Sequence, residues 1–96
     1  MNSASETTTP IPQAHFFTRT DCCLCDRAYP ILRRLAAEGL LEVTQVDIAT
    51  DPSLLEKYKH RIPVVQLSTG HVYEGRISEF RLRRALRTQN RQTEHP

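Results

Sequence analysis

Cys22, Cys23 and Cys25 are the only cysteines in this chain of 96 residues, and they fall within four consecutive positions. An apolar stretch, His15-Phe16-Phe17-Thr18-Arg19, comes before them, and a helix-like run opens near Arg27. A C-x-x-C pair between such segments requires a strand to turn directly into a helix. Thiols three positions apart then share one face of the first turn. The helix N-terminus beside them favours the thiolate that makes and breaks a disulfide. The junction therefore points to an α/β fold with thiol–disulfide chemistry at a strand-to-helix turn.

Geometry selects the pair. Neighbouring Cα atoms such as those of Cys22 and Cys23 are about 3.8 Å apart, closer than the roughly 4.4–6.8 Å of a disulfide. Cys23 and Cys25 are two apart and diverge on a helix. Cys22 and Cys25 remain. Cys22, at the helix mouth beside unpaired backbone N–H groups, is expected to be the nucleophile. Cys25, one turn in, is expected to be buried and to resolve the mixed disulfide. Asp21 and Asp26 oppose the thiolate, and Arg19 and Arg27 favour it. Cys23 has no role on this reading.

Length and composition bound the rest. Residues 1–13 are rich in Ser and Thr, and residues 88–96 are polar and aperiodic, so both read as disordered tails. Residues 14–87 then form one domain with one small core. No run approaches the roughly 18 apolar residues of a membrane span, and no export signal is visible. The expected location is the cytoplasm, where close cysteines are more often catalytic or metal-binding than structural. Net charge is +2, but residues 76–96 hold six Arg against Glu79 and Glu94. That basic end is read as a solvated helix face, with nucleic acid not expected as a partner.

The element order is β-α-β-α-β-β-α. Residues 14–19 form the first strand. The first helix carries a stripe of Ala28, Ile31, Leu32, Leu35 and Ala36, contains Pro30 and ends near Gly39. Residues 41–48 form a second strand, whose imperfect alternation suggests cover on both faces. Asp51-Pro52 starts a short helix with Leu54, Leu55 and Tyr58 inward. Residues 63–68 and 71–74 form a hairpin around Thr69-Gly70. Ser78 caps the last helix, with Ile77 stapled onto Leu82 and Phe80, Ala85 and Leu86 on its apolar side. Helical connections predict three parallel strands and an antiparallel fourth, in a four-stranded mixed sheet with helices on both faces.

The segment Phe17-Thr18-Arg19-Thr20-Asp21-Cys22-Cys23-Leu24-Cys25, followed by Ala28 and Leu32, resembles the active-site segment of small glutaredoxin-like proteins of the thioredoxin superfamily. Leu24 before the second cysteine is typical of a bacterial branch with a C-x-L-C motif. Arg61-Ile62-Pro63-Val64 resembles the superfamily's second signature. The resemblance spans roughly residues 14–87 and implies a thioredoxin-like fold with a cis Ile62–Pro63 bond. It further implies that the backbone of Ile62 aligns an incoming thiol or peptide with Cys22, while Pro63 packs against the disulfide. The chain departs from thioredoxins in lacking Trp and in holding Cys23-Leu24 where they hold Gly-Pro. It departs from glutathione-binding glutaredoxins in having one glycine, Gly75, followed by Arg76. Arg19, Arg61, Gly75 and Ser78 are the candidates the resemblance offers for holding a glutathione carboxylate or backbone.

The expected function is a glutaredoxin-like oxidoreductase that cycles a Cys22–Cys25 disulfide. Its expected partners are protein or small-molecule disulfides, with glutathione a candidate co-substrate and no bound cofactor. A monomer without membrane association is expected. Two rivals stand beside it. One is a soft-metal module binding copper, zinc or an iron–sulfur cluster through the same thiolates, although copper carriers usually follow β-α-β-β-α-β and three cysteines fall short of a tetrahedral zinc site. The other is a non-enzymatic interaction domain whose thiols sense oxidation.

Overall fold

Alternation along β1 (Gln13–Thr18) sends Ala14 and Phe16 to one side of the sheet and Phe17 to the other. The structure, a computed structural model, describes residues 11–94, with side chains through Arg87. Most of the expected N-terminal tail lies outside the described residues. Pro12 is nevertheless buried, and its carbonyl accepts from the Glu42 N–H at 2.9 Å.

β1 leads into α1 (Cys23–Ala37), β2 (Glu42–Asp47), a 3-10 turn (Ile48–Thr50), α2 (Pro52–Tyr58), β3 (Val64–Leu67), β4 (Val72–Glu74) and α3 (Glu79–Glu94). The sheet order is β2-β1-β3-β4. The element order and the mixed four-stranded sheet are those expected.

Two cores lie on the two faces of this sheet. Ala14, Phe16, Val65 and Leu67 pack with Cys25, Ala28, Leu32 and Leu35 of α1 and with Leu82 and Leu86 of α3. Phe17 and Val64 pack on the other side with Ile48 and Tyr58, beside Leu54 and Leu55 of α2. The Phe17 and Tyr58 rings stack with centroids 4.4 Å apart. Thus α1 and α3 cover one face and α2 the other.

One topological expectation is corrected. β1 and β2 are parallel, but β3 runs antiparallel to β1. A parallel crossover must carry the chain back along the full strand. α2 has seven residues, about 10 Å of rise, against about 20 Å for the six-residue β2. β2 ends opposite Thr18, and β3 begins opposite Phe17. The chain never leaves that end of the sheet, so β3 sets out from it in the reverse direction.

β2 proves to be an edge strand. Its uneven pattern arises because half-buried Val43 joins one core and Val46 the other, while its remaining residues are exposed. Phe80 also departs from expectation, being 67% exposed. Two positions from Leu82 is about 200° around a helix, so Phe80 faces away from the Leu82–Leu86 stripe. α3 continues past Arg87, where the apolar periodicity stops. No Gly or Pro interrupts residues 88–94, so its backbone can stay helical without further apolar residues.

The C-terminal end of α1 and the N-terminal end of α3 form as their sequences suggest. Gly39 adopts φ +79°. Its N–H donates to Ala36 O at 2.9 Å, and the Leu40 N–H donates to Leu35 O at 3.1 Å, a Schellman closure that leaves Leu40 against the core. Ser78 Oγ accepts from the Arg81 N–H at 3.2 Å at the start of α3. Among the described residues, no helix is long and apolar enough to cross a membrane.

Candidate functional site

The strand-to-helix turn holds the disulfide. Asp21 takes φ +63°, a left-handed conformation that short polar side chains tolerate better than others. It reverses the chain after β1 and delivers Cys22 to the N-cap position of α1, where Cys22 Sγ accepts from the Cys25 N–H at 3.1 Å. A cysteine sulfur thus occupies the place usually filled by a Ser or Asp oxygen, at the end of the helix whose field favours negative charge.

Cys22 and Cys25 are joined as a disulfide with Cα atoms 5.1 Å apart. Their surroundings differ. Cys22 is half-buried, whereas Cys25 is 2% exposed within the core of α1. Cys23 is a free, exposed thiol on the first residue of the helix. Exposed Leu24 stands beside it.

The Ile62–Pro63 bond is cis and immediately precedes β3. Val64 pairs with Phe17, so this bond lies at the end of the sheet where β1 gives way to the cysteine turn. The Ile62 N–H donates to Tyr58 O at 3.0 Å, and Pro63 O accepts from the Gly75 N–H at 2.9 Å. Gly75 adopts φ +70°, a conformation open to glycine at little cost, and so fastens the exit of β4 to Pro63.

The other expected binding residues do not converge. Arg61 is engaged by Glu74, the last residue of β4: its Nε donates to Glu74 Oε2 at 3.0 Å, and Nη2 donates to the same oxygen. Its guanidinium also lies 5.5 Å from the centroid of the Tyr58 ring. The hydrogen bond between them raises Arg61 and lowers Glu74 in pKa. Arg19 is on the opposite flank, toward β2, in a hollow shared with Thr18, Thr20, Asp26, Gln45 and Asp47. Arg61 and Gly75 therefore meet at the β3–β4 side, and Arg19 stands apart from them.

A second hollow of about 300 Å³ reaches Cys25 from the β2 side, lined by Phe16, Thr18, Cys25, Asp26, Tyr29 and Gln45. Sequence reasoning missed its polar lining. Thr18 was detectable, since it continues the inward phase of Ala14 and Phe16, and it is 7% exposed. Gln45 and Glu74 carried no such signal, because their positions depend on strand order and register. Among the described residues, no three His, Cys, Asp or Glu side chains form a group that could hold a metal ion.

Residues 13–87 match the Glutaredoxin-like domain (DUF836) family. The chain belongs to that family. Among solved structures, this glutaredoxin-like chain is similar to the Northeast Structural Genomics target protein XcR50 from X. campestris. The two are 29% identical with a TM-score of 0.64, over 78% of this chain and 96% of that one. A mutant thioredoxin from Halobacterium salinarum NRC-1 superposes with a TM-score of 0.66 at 20% identity, over 80% of this chain and 73% of that one. A malarial protein gives 0.66 at 18% identity, over 83% and 97%. The last two likenesses concern the fold. A glutaredoxin-like domain with two joined cysteines at the mouth of its first helix supports a thiol redox role.

Proposed function

We propose that this glutaredoxin-like protein is a thiol–disulfide oxidoreductase that cycles between a Cys22/Cys25 dithiol and the Cys22–Cys25 disulfide. The observation that carries this reading is the asymmetry of the two joined sulfurs, one half-buried at the helix mouth and one buried behind it. In the reduced state Cys22 attacks a substrate sulfur as the thiolate. The substrate disulfide breaks, and its leaving sulfur takes a proton from solvent. Cys25 then gives up its proton and attacks the Cys22 sulfur, closing the protein disulfide and releasing the second substrate thiol. Two electrons pass from the protein dithiol to the substrate.

The Ile62 N–H is already engaged by Tyr58. The Ile62 carbonyl is then the backbone group that receives an incoming peptide N–H and aligns its sulfur with Cys22. Pro63 carries no N–H to compete for that position.

Alkylation of the reduced protein, read by peptide mass spectrometry so that Cys22 and Cys23 are separated, tests this function. Cys22 should titrate below the roughly 8.5 of a free thiol. Cys22→Ser should abolish disulfide exchange, and Cys25→Ser should accumulate mixed disulfides on Cys22. A Cys22 no more reactive than free cysteine, with no Cys22–Cys25 bond formed on oxidation, would sink the reading.

A further inference from the structure

We infer that Glu74 serves as a built-in carboxylate for Arg61, turning the site away from glutathione and other anionic thiols and toward disulfides on neutral or basic polypeptide. This inference rests on the exchange function proposed above and specifies its substrate class.

Arg61 stands two residues before Pro63, at the end of the sheet that carries the cysteine turn. A cation there would suit the carboxylate of a small thiol substrate, yet two of its donors already converge on Glu74 Oε2. Glu74 is not a loosely placed neighbour. It pairs with Val64 across the β3–β4 hairpin, and the following N–H, of Gly75, is bonded to Pro63 O. The same backbone that frames Pro63 thus presents this carboxylate. Both side chains remain partly open, at 43% for Arg61 and 39% for Glu74, so a ligand carboxylate would compete with Glu74 for the same donors.

Arg76, just past Gly75, shares a hollow with the same Glu74, and on the β2 flank the cations are matched by carboxylates. Arg27 follows the disulfide on α1, and Arg19 faces Asp26 and Asp47 across a shared hollow. With Asp21 beside Cys22, three carboxylates (Asp21, Asp26 and Asp47) stand against two guanidiniums (Arg19 and Arg27) on that flank. Oxidised glutathione, a net anion, meets no surplus of positive charge on that flank. A neutral or basic peptide meets none of that repulsion.

The test uses three disulfides of different charge: oxidised glutathione, neutral hydroxyethyl disulfide and cationic cystamine. Each is mixed with the reduced full chain, and Cys22–Cys25 formation is followed by quenched mass spectrometry. Each substrate disulfide is reduced to two thiols as the protein dithiol is oxidised. The wild-type chain should react more slowly with oxidised glutathione than with hydroxyethyl disulfide. Glu74→Gln should raise the glutathione rate about fivefold relative to hydroxyethyl disulfide, the scale of one partly exposed ion pair. The cystamine rate should fall on the same comparison. Adding Arg61→Gln should remove the glutathione gain.

A wild-type preference for oxidised glutathione, or a Glu74→Gln variant that leaves the three rates in their original ratio, would overturn the inference while leaving the exchange function intact. A wild-type chain inert toward all three disulfides would overturn both.

Discussion

Asp21 is the one non-glycine residue with positive φ among the described residues, and it immediately precedes the sulfur proposed to attack. Its charge, opposed to a thiolate, was all that could be read from the sequence. Its backbone role depends on where β1 ends relative to α1. A β-branched residue in the left-handed region clashes with its own backbone. Asp21→Val should therefore lower the stability of the oxidised protein by about 1–2 kcal/mol, measured by urea unfolding. Asp21→Gly should stay within about 1 kcal/mol of wild type. Equal losses for the two variants would show that the side chain, not the backbone conformation, matters at this position.

At the scale of elements, α3 shows how far periodicity reaches. Leu82 and Leu86 were legible as one stripe, and both are essentially buried, at 0% and 1% exposed. Phe80 is apolar enough to suggest the same stripe, but its angular position lies off it and it faces outward. Leu82→Ala should cost about 2–5 kcal/mol in urea unfolding. Phe80→Ser should stay within about 0.5 kcal/mol. Near-equal losses would mean that α3 is rotated from the orientation described. The end of α1 and the start of α3 are readable because capping chemistry is local: Gly39 and Ser78 act on backbone groups within a few residues.

At the scale of the whole molecule, ion pairs join elements distant in the chain. Arg83 of α3 donates to both Glu38 oxygens, at 2.8 and 2.6 Å, just past the end of α1, and to Glu79 at 2.9 Å. Arg34 of α1 also bonds Glu79. The Arg83 hydrogen bond holds the Glu38 carboxyl below its ordinary value, as Arg61 does for Glu74. A carboxyl lowered in the folded state contributes stability above its unfolded value, and that contribution is lost as pH falls through the folded one. The wild-type chain should therefore lose stability to urea as pH drops below 4.5, the ordinary value of these groups. A Glu38→Gln/Glu74→Gln double variant should start lower at neutral pH and lose less over that acid window. Parallel curves for the two proteins would remove these carboxyls from the acid response.

The sequence by itself determined what depends on neighbours along the chain. It placed the elements in order, the apolar stripe of α1, the caps, and Cys22 and Cys25 one turn apart at a helix mouth. These follow from rules that act over a few residues, namely helical period, strand alternation, capping and the short reach of a disulfide. Only the tertiary structure decided the reversal of β3, the edge position of β2 and the joining of Arg61 to Glu74. Each depends on which strand lies beside which, and in what register. Periodicity records how a segment meets a core without recording which neighbours supply it.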